Sequence, residues 1–272
     1  MFLLKFIILF LTIITTTLVY PQNKIINVCS DDNDERPFLM IKDEETTGIY
    51  SDLIMRAVAL AKETSSYRLK ITPMPWNRCL DMLKQGQVDA VLNISYNTER
   101  AEFIQYPNDA GKNESKPCEA KMKLYCGGYV VITMKTFFGE FNGNLRKLPI
   151  PVRVARGYSI TTELENILKE NVEVGKSDDI NLKKLLRDRN GSVIIYSSFI
   201  DNHINLKYKN DKEIFSKVKI HKTPYTIKSY YFAFSKYSKI TQKERGVIWK
   251  SIKNVNENRS ILNLIYKKYE KE

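Results

Sequence analysis

The stretch Gly48–Ile94, GIYSDLIMRAVALAKETSSYRLKITPMPWNRCLDMLKQGQVDAVLNI, decides the fold. Leu53, Ile54, Ala57, Val58 and Ala61 recur at helical spacing and mark one apolar face, with Ser51 as the expected N-cap. Tyr67–Thr72 alternates like a strand. Pro75 is suited to the first turn of a second helix whose apolar stripe is Trp76, Leu80 and Leu83, and Gly86 closes it. Val88–Ile94 is a further strand. Upstream, Lys24–Cys29 (KIINVC) reads as a short buried strand, followed by the acidic, polar loop Ser30–Arg36. The order β-α-β-α-β over Lys24–Ile94 predicts an α/β fold with a mainly parallel sheet and helices on its faces.

The same grammar returns about 125 residues later. Asp109–Lys121 is polar and reads as a surface insertion, and Tyr129–Met134 is strand-like. Pro151–Ala155 is a strand that leads into the turn Gly157-Tyr158-Ser159. Leu164, Ile167 and Leu168 mark one helix, Leu182, Leu185 and Leu186 another, and Ser192–Tyr196 a strand. Ser229–Phe234 is a strong β run. Two helical patterns end the chain, Ile248/Ile252/Val255 and Ile261/Leu262/Ile265. Two α/β lobes in one chain predict a small-molecule cleft between them, because open parallel sheets present ligands at the carboxyl ends of their strands.

The chain has 272 residues and a formal net charge of +12. With 43% hydrophobic residues it has material for a packed core and is not a disordered chain. Residues 201–272 hold 17 Lys+Arg against 7 Asp+Glu, so +10 of the charge lies there, scattered on outer helix faces without a recognition motif. That pattern is a solvated surface, and no nucleic-acid partner is expected. Residues 1–22 combine one early Lys with the apolar run Phe6–Tyr20, the layout of an export signal, with a retained N-terminal anchor as the alternative. In an oxidising compartment Cys29, Cys79, Cys118 and Cys126 are expected to form two disulfides. Cys118 with Cys126 closes a polar loop and Cys29 with Cys79 crosses the fold; four thiols are the alternative. No CxxC occurs and the two His are far apart, so no metal or other cofactor is expected.

Several motifs, in order, carry a resemblance. They are Gly48-x-Tyr50-x-Asp52-Leu53, Pro73-x-Pro75-Trp76-x-Arg78, Gly86-x-Val88-Asp89-Ala90, Thr98-Glu99-Arg100, Tyr106-Pro107, Val152–Ser159 and Tyr230–Lys236. Together they resemble the extracytoplasmic solute-binding proteins of family 3, the polar amino-acid binding type that serves ABC importers, in a divergent Pro-Trp-x-Arg branch. The resemblance implies a two-lobed periplasmic-binding-protein type II fold with two hinge crossings. Lobe 1 is expected at 24–128 plus 230–272 and lobe 2 at 129–229. It also implies a periplasmic monomer that captures a small polar solute for an inner-membrane ABC permease or a sensor, and that is not an enzyme. A dehydratase-like enzyme on the same fold is the alternative.

The resemblance also proposes a site. Arg100 would grip a ligand carboxylate through paired hydrogen bonds, the geometry a guanidinium suits. Asn93 and Ser95 would present polar groups at a strand end, and Trp76 would lay its ring against the ligand. Asp31 and Asp34 lie in the loop after the first strand. Arg156, Gly157, Tyr158 and Ser159 form the expected second-lobe loop, and Tyr196 ends the late strand. Surface Arg, solvated loop acids and core Trp are the ordinary alternatives. One departure matters. Amino-acid binders place an Asp after that late strand to meet the ligand ammonium. Here Tyr196-Ser197 stands there, with no carboxylate until Asp201. A buried ammonium without a countercharge is costly. The expected solute is therefore a carboxylate, or an amine held by Asp31 or Asp34.

Overall fold

The computed structural model describes residues 24–33, 35–61, 66–112, 116–197 and 216–269. The expected leader over 1–22, Asp34 and Asp201 lie outside them. The elements run β1 (Lys24–Asp31), β2 (Met40–Lys42), β3 (Glu45–Thr47), α1 (Ile49–Leu60), β4 (Tyr67–Met74), α2 (Trp76–Lys84), β5 (Ala90–Ser95) and β6 (Ile104–Gln105). Then come β7 (Tyr125–Met134), β8 (Val152–Ala155), α3 (Thr161–Leu168), β9 (Val172–Gly175), α4 (Asp178–Asp188), β10 (Ser192–Tyr196), β11 (Val218–Ile220), β12 (Thr226–Ser235), α5 (Gln242–Glu257) and α6 (Arg259–Tyr269).

The main path through the sheet is β4-β1-β5-β12-β7-β10-β8-β9. β1 is parallel to β4 and β5, and β8 is parallel to β9 and β10. The long strands β7 and β12 run antiparallel to each other and join the two parallel halves, pairing Tyr129 with Thr226 and Tyr125 with Tyr230. This is the two-lobed α/β arrangement, with β7 and β12 as the two crossings.

Each half is covered on both faces, because alternate strand residues must find apolar partners on opposite sides. In the first half, Ile26 and Val28 of β1 point to a core closed by α1, α5 and α6 through Leu53, Ile54, Ile248, Trp249, Ile252 and Ile265. Cys29, one residue on, faces the opposite core, closed by α2 through Cys79 and Leu83. In the second half α3 supplies Leu164 and Leu168 to one face, and α4 supplies Leu182 and Leu185 to the other.

Local chemistry sets the element ends. α1 begins at Gly48, not at the expected Ser51. Gly48 has φ 105°, and a Cβ there would meet the Phe38 carbonyl oxygen at 2.7 Å. Ser51 is instead buried within the helix and donates to the Thr46 carbonyl. A full capping box opens α5, between Thr241 and Glu244. Strand β9 and the small β2–β3 ribbon were not expected; both are too short and too polar to show a clean alternation.

One buried ion group ties the second half together. The Arg153 side chain is 3% exposed and donates to Glu173 at 2.7 Å, Asp188 at 2.7 Å and the Asn190 carbonyl at 2.8 Å. It thereby joins β8, β9 and the end of α4. The two acids are about one-third exposed, which moderates the loss when the guanidinium goes. Arg153→Met is expected to cost about 2–3 kcal/mol, read as a lower urea midpoint with an unchanged slope.

Candidate functional site

The carboxyl ends of β1 and β5, the loop after β8 and the crossing strands converge on a cavity of about 40 Å³. Its walls include Asp31 and Glu35 from the loop after β1, Trp76 from the start of α2, and Asn93, Ser95 and Arg100 at and beyond the end of β5. Tyr129 of β7, Tyr158, Tyr196 at the end of β10 and Tyr230 of β12 complete the aromatic side. Of the residues singled out from the sequence, Asp31, Trp76, Asn93, Ser95, Arg100, Tyr158 and Tyr196 are brought together here. Gly157 and Ser159 touch this group through hydrogen bonds. Arg156 does not join it: its side chain is exposed, and its backbone N–H pairs with Gly175.

The two lobes meet directly at the cavity. The Trp76 indole N–H donates to the Gly157 carbonyl at 2.9 Å, and an Arg100 terminal nitrogen donates to the same oxygen at 2.6 Å. Ser95 and Ser159 hydroxyls pair at 2.9 Å, and Lys228 of β12 reaches Ser159 at 3.3 Å. Arg100 is itself buried. Its other terminal nitrogen donates to the Ser95 carbonyl at 3.2 Å, and its guanidinium lies 5.5 Å from the Trp76 ring centroid. Asn97 caps the short turn that carries it, accepting from the Arg100 N–H at 2.7 Å. Gly157 is required at this contact. It has φ 81°, and a Cβ would meet Trp76 Cδ1 at 2.8 Å and Asn77 Oδ1 at 2.4 Å. Gly157→Ala is therefore expected to wedge the lobes apart, seen as a larger radius of gyration with the two separate cores intact.

Three groups at or beside the cavity are not singled out by the sequence. Tyr129 and Tyr230 sit in the crossings and read there only as β-formers. Asp178 reads only as an acid in the first turn of a helix. Its carboxylate is 3% exposed. It accepts from the Tyr158 hydroxyl at 2.8 Å and from the Tyr196 N–H at 3.3 Å, and its second oxygen has no hydrogen-bond partner. No carboxylate follows Tyr196 in the chain until Asp201, but an acid from another element comes to the end of this strand. Folding brings Asp178 of α4 beneath the end of β10, 18 residues before Tyr196 in the chain.

Burial dominates the electrostatics. Asp178 is pushed up to about 7 by desolvation, with hydrogen bonds from Tyr158 and Tyr196 opposing. Asp31 is likewise pushed up to about 7 by burial, with the Asn33 N–H opposing. The Asp31 carboxylate adds to the rise of Asp178, and neighbouring Asp32 adds to that of Asp31. The phenols of Tyr158, Tyr196 and Tyr230 are raised well above their ordinary range by the same desolvation. No group of His, Cys, Asp and Glu suited to a metal ion occurs among the described residues.

A second cavity, of about 390 Å³, is lined by Tyr96, Asp109, Glu163, Lys228 and Tyr231 among others. It is roomier, but it lies away from the Trp76, Ser95 and Arg100 contacts by which the two lobes meet at the first.

Residues 26–117 match the family model of bacterial extracellular solute-binding proteins, family 3. The family-3 resemblance is borne out. Family-3 proteins are binding proteins that work outside the cytoplasm, and the match covers the segment that carries Asp31, Trp76, Asn93, Ser95 and Arg100. No curated protein matches the chain by sequence. Among solved structures, the arginine-, lysine-, histidine-binding protein ArtJ from the thermophilic bacterium Geobacillus stearothermophilus aligns with a TM-score of 0.64 at 18% identity, over 92% of this chain and 96% of that one. A histidine kinase sensor domain with similarity to periplasmic binding proteins aligns with a TM-score of 0.64 at 14% identity, over 92% and 98%. An ancestral amino acid-binding protein, a precursor of cyclohexadienyl dehydratase, aligns with a TM-score of 0.60 at 16% identity, over 90% and 95%. At these identities the likeness is one of fold. Both disulfides expected from the sequence are present, Cys29–Cys79 and Cys118–Cys126. Among the described residues no helix is long and apolar enough to cross a membrane.

Proposed function

We propose that this chain is an extracytoplasmic binding protein that captures a small polar solute in the pocket between its lobes. The observation that carries the reading is the convergence of Trp76, Ser95 and Arg100 from one lobe and Gly157, Ser159 and Tyr158 from the other around one buried polar cavity. Lobe 1 comprises 24–128 plus 230–272 and lobe 2 comprises 129–229, with the crossings acting as a hinge. The solute enters when the Gly157 contacts part, and the lobes re-form around it. Export through the leader over 1–22 would place the protein in the periplasm as a monomer without a cofactor. Captured solute passes to an ABC permease or reports to a sensor; the fold neighbours include the substrate-binding protein of an amino acid ABC transporter and a kinase sensor domain. A solute carboxylate, the group expected from Arg100, would have to take the place of the Gly157 carbonyl on the guanidinium. The family is one of binding, and among the described residues no nucleophile–base pair stands at the pocket, so capture rather than turnover is the reading.

Native mass spectrometry of protein purified from its host tests it. A stoichiometric small molecule, lost on partial unfolding and restoring the melting temperature when returned, is the expected result. Protein that carries nothing and shows no shift across amines, amino acids and organic acids at millimolar concentration contradicts it.

A further inference from the structure

The second cavity, of about 390 Å³ against about 40 Å³ for the first, lies beside the crossing strand β12 and has no part in the solute-binding reading. Small-molecule pockets run from about 300 to 1,000 Å³. Of its lining residues, Tyr96 follows β5, Asp109 follows β6, Glu163 belongs to α3, and Thr226, Lys228 and Tyr231 belong to β12. The walls thus come from both lobes and from the crossing between them. The loop that supplies Pro117 is fixed in place. The Cys118–Cys126 bridge ties it to β7, and the Ser229 hydroxyl of β12 donates to the Pro117 carbonyl.

Asp109 has an unmet acceptor. One oxygen, Oδ2, accepts from the Lys121 and Met122 N–H groups at 2.7 and 2.9 Å, which fixes the carboxylate against the loop. The other, Oδ1, is shielded from solvent and has no hydrogen-bond partner. Such an oxygen keeps its desolvation cost until a donor reaches it. Lys123, which Asp109 attracts, instead donates its ammonium to the Ala120 carbonyl at 2.8 Å. Lys228, the ammonium on the cavity wall, is turned to the Ser159 hydroxyl at 3.3 Å. Glu163, which accepts from the Tyr225 hydroxyl at 2.5 Å, adds a second negative charge to the wall. Aromatic rings supply much of the apolar wall. Tyr96 packs edge-on against Tyr106 at 5.2 Å, and Tyr106 against Tyr231 at 6.1 Å, so a third ring locks the two lining ones. Surplus negative charge beside aromatic rings suits an organic cation.

We propose that this cavity is a second, regulatory binding site, for a small organic ammonium compound with an aromatic or alkyl body. The ammonium donates to Asp109, and the body lies against Tyr96 and Tyr231. Tyr96 and Asp109 sit on one lobe and Glu163 on the other, with β12 between them. The occupied cavity therefore favours one placement of the lobes over another. Lys228 links the two sites: it lines this cavity and reaches Ser159, which pairs with Ser95 across the lobes. The site is separate from the cavity beside Trp76, and binding there does not depend on what that cavity holds.

Phenethylammonium, phenethyl alcohol and phenylpropionate share one ring and differ in charge. Each is titrated calorimetrically into the full chain at neutral pH. The ammonium should bind one-to-one, the alcohol at least tenfold more weakly, and the anion not at all. Asp109→Asn keeps an acceptor for the Lys121 and Met122 N–H groups, so it should retain the melting temperature while lowering ammonium affinity at least tenfold. Ala120 also lines the cavity, and Ala120→Trp fills it and should abolish binding. Gly157→Ala, which wedges the lobes apart, should weaken the ammonium at least threefold. An ammonium that does not bind at millimolar concentration, an anion that binds as tightly, or an affinity unchanged by Asp109→Asn overturns the inference. Binding that survives Ala120→Trp puts the probe elsewhere and also overturns it. Equal affinity in Gly157→Ala overturns the regulatory role. None of these outcomes bears on the solute-binding reading, which native mass spectrometry tests separately.

Discussion

Replacing Cys29 and Cys79 together by Ala is expected to remove about 4 kcal/mol of stability. The bridge closes a loop of 50 residues between β1 and α2. In the chain-entropy account, the cost of closing such a loop is carried by the cross-link in the unfolded state. Both side chains are fully buried in the α2-side core, so the pair also contributes packing. Ala rather than Ser keeps an unpaired hydroxyl out of that core. The bridge Cys118–Cys126 spans 8 residues and pins a surface loop, so its removal costs less, about 2 kcal/mol. Equilibrium urea unfolding of the two double variants, side by side, checks both size and order. Equal losses would contradict the account.

The second large effect is on pH. Asp178 and Asp31 hold their protons more tightly in the folded chain than in the unfolded one, where an Asp titrates near its ordinary value. A group with a raised folded pKa favours the folded state fully at pH below the unfolded value. That advantage is lost as the pH climbs toward and through the folded value of about 7. Ligand-free protein should therefore lose stability between pH 4 and pH 8. For Asp178, the more buried of the two, the loss is about 2–4 kcal/mol, or about 5–10 °C in melting temperature. Glu173 and Asp188, held low by Lys184 and Arg187 respectively, act in the opposite direction, but in the acid range below their ordinary values. Asp178→Asn should flatten most of the slope above pH 5. Scanning calorimetry of the protein and of Asp178→Asn across pH 5–8 measures both; stability that rises over this window would contradict the assignment.

The fold was legible because each strand and helix of the first half has a distinct period. Ile26/Val28 alternate, Leu53/Ile54/Ala57/Val58 repeat at helical spacing, and Gly48 and Gly86 punctuate them. The second half was legible in outline, yet β9, four residues of mixed polarity, carries no periodic signal. In the site, residues at strand ends were legible by position: Asn93, Ser95 and Arg100 follow β5, and Gly157–Ser159 follow β8. Asp178 was not, since its role comes from α4 packing under β10, a contact between segments that no local pattern records. Arg100 was found, but its partner was not. That Gly157 offers it a carbonyl follows from how the lobes meet.

The proposed solute site lies between the lobes, beside Trp76. The chain has two Trp, and Trp249 is buried in the other core, where its indole N–H donates to Phe232. In a Trp249→Phe background the fluorescence therefore reports Trp76 alone. Titrating that protein, first stripped of bound molecules by partial unfolding and refolding, with the solute recovered from the host should give a saturable, one-to-one change in Trp76 emission. A recovered solute that binds with no change at Trp76 would contradict a site between the lobes.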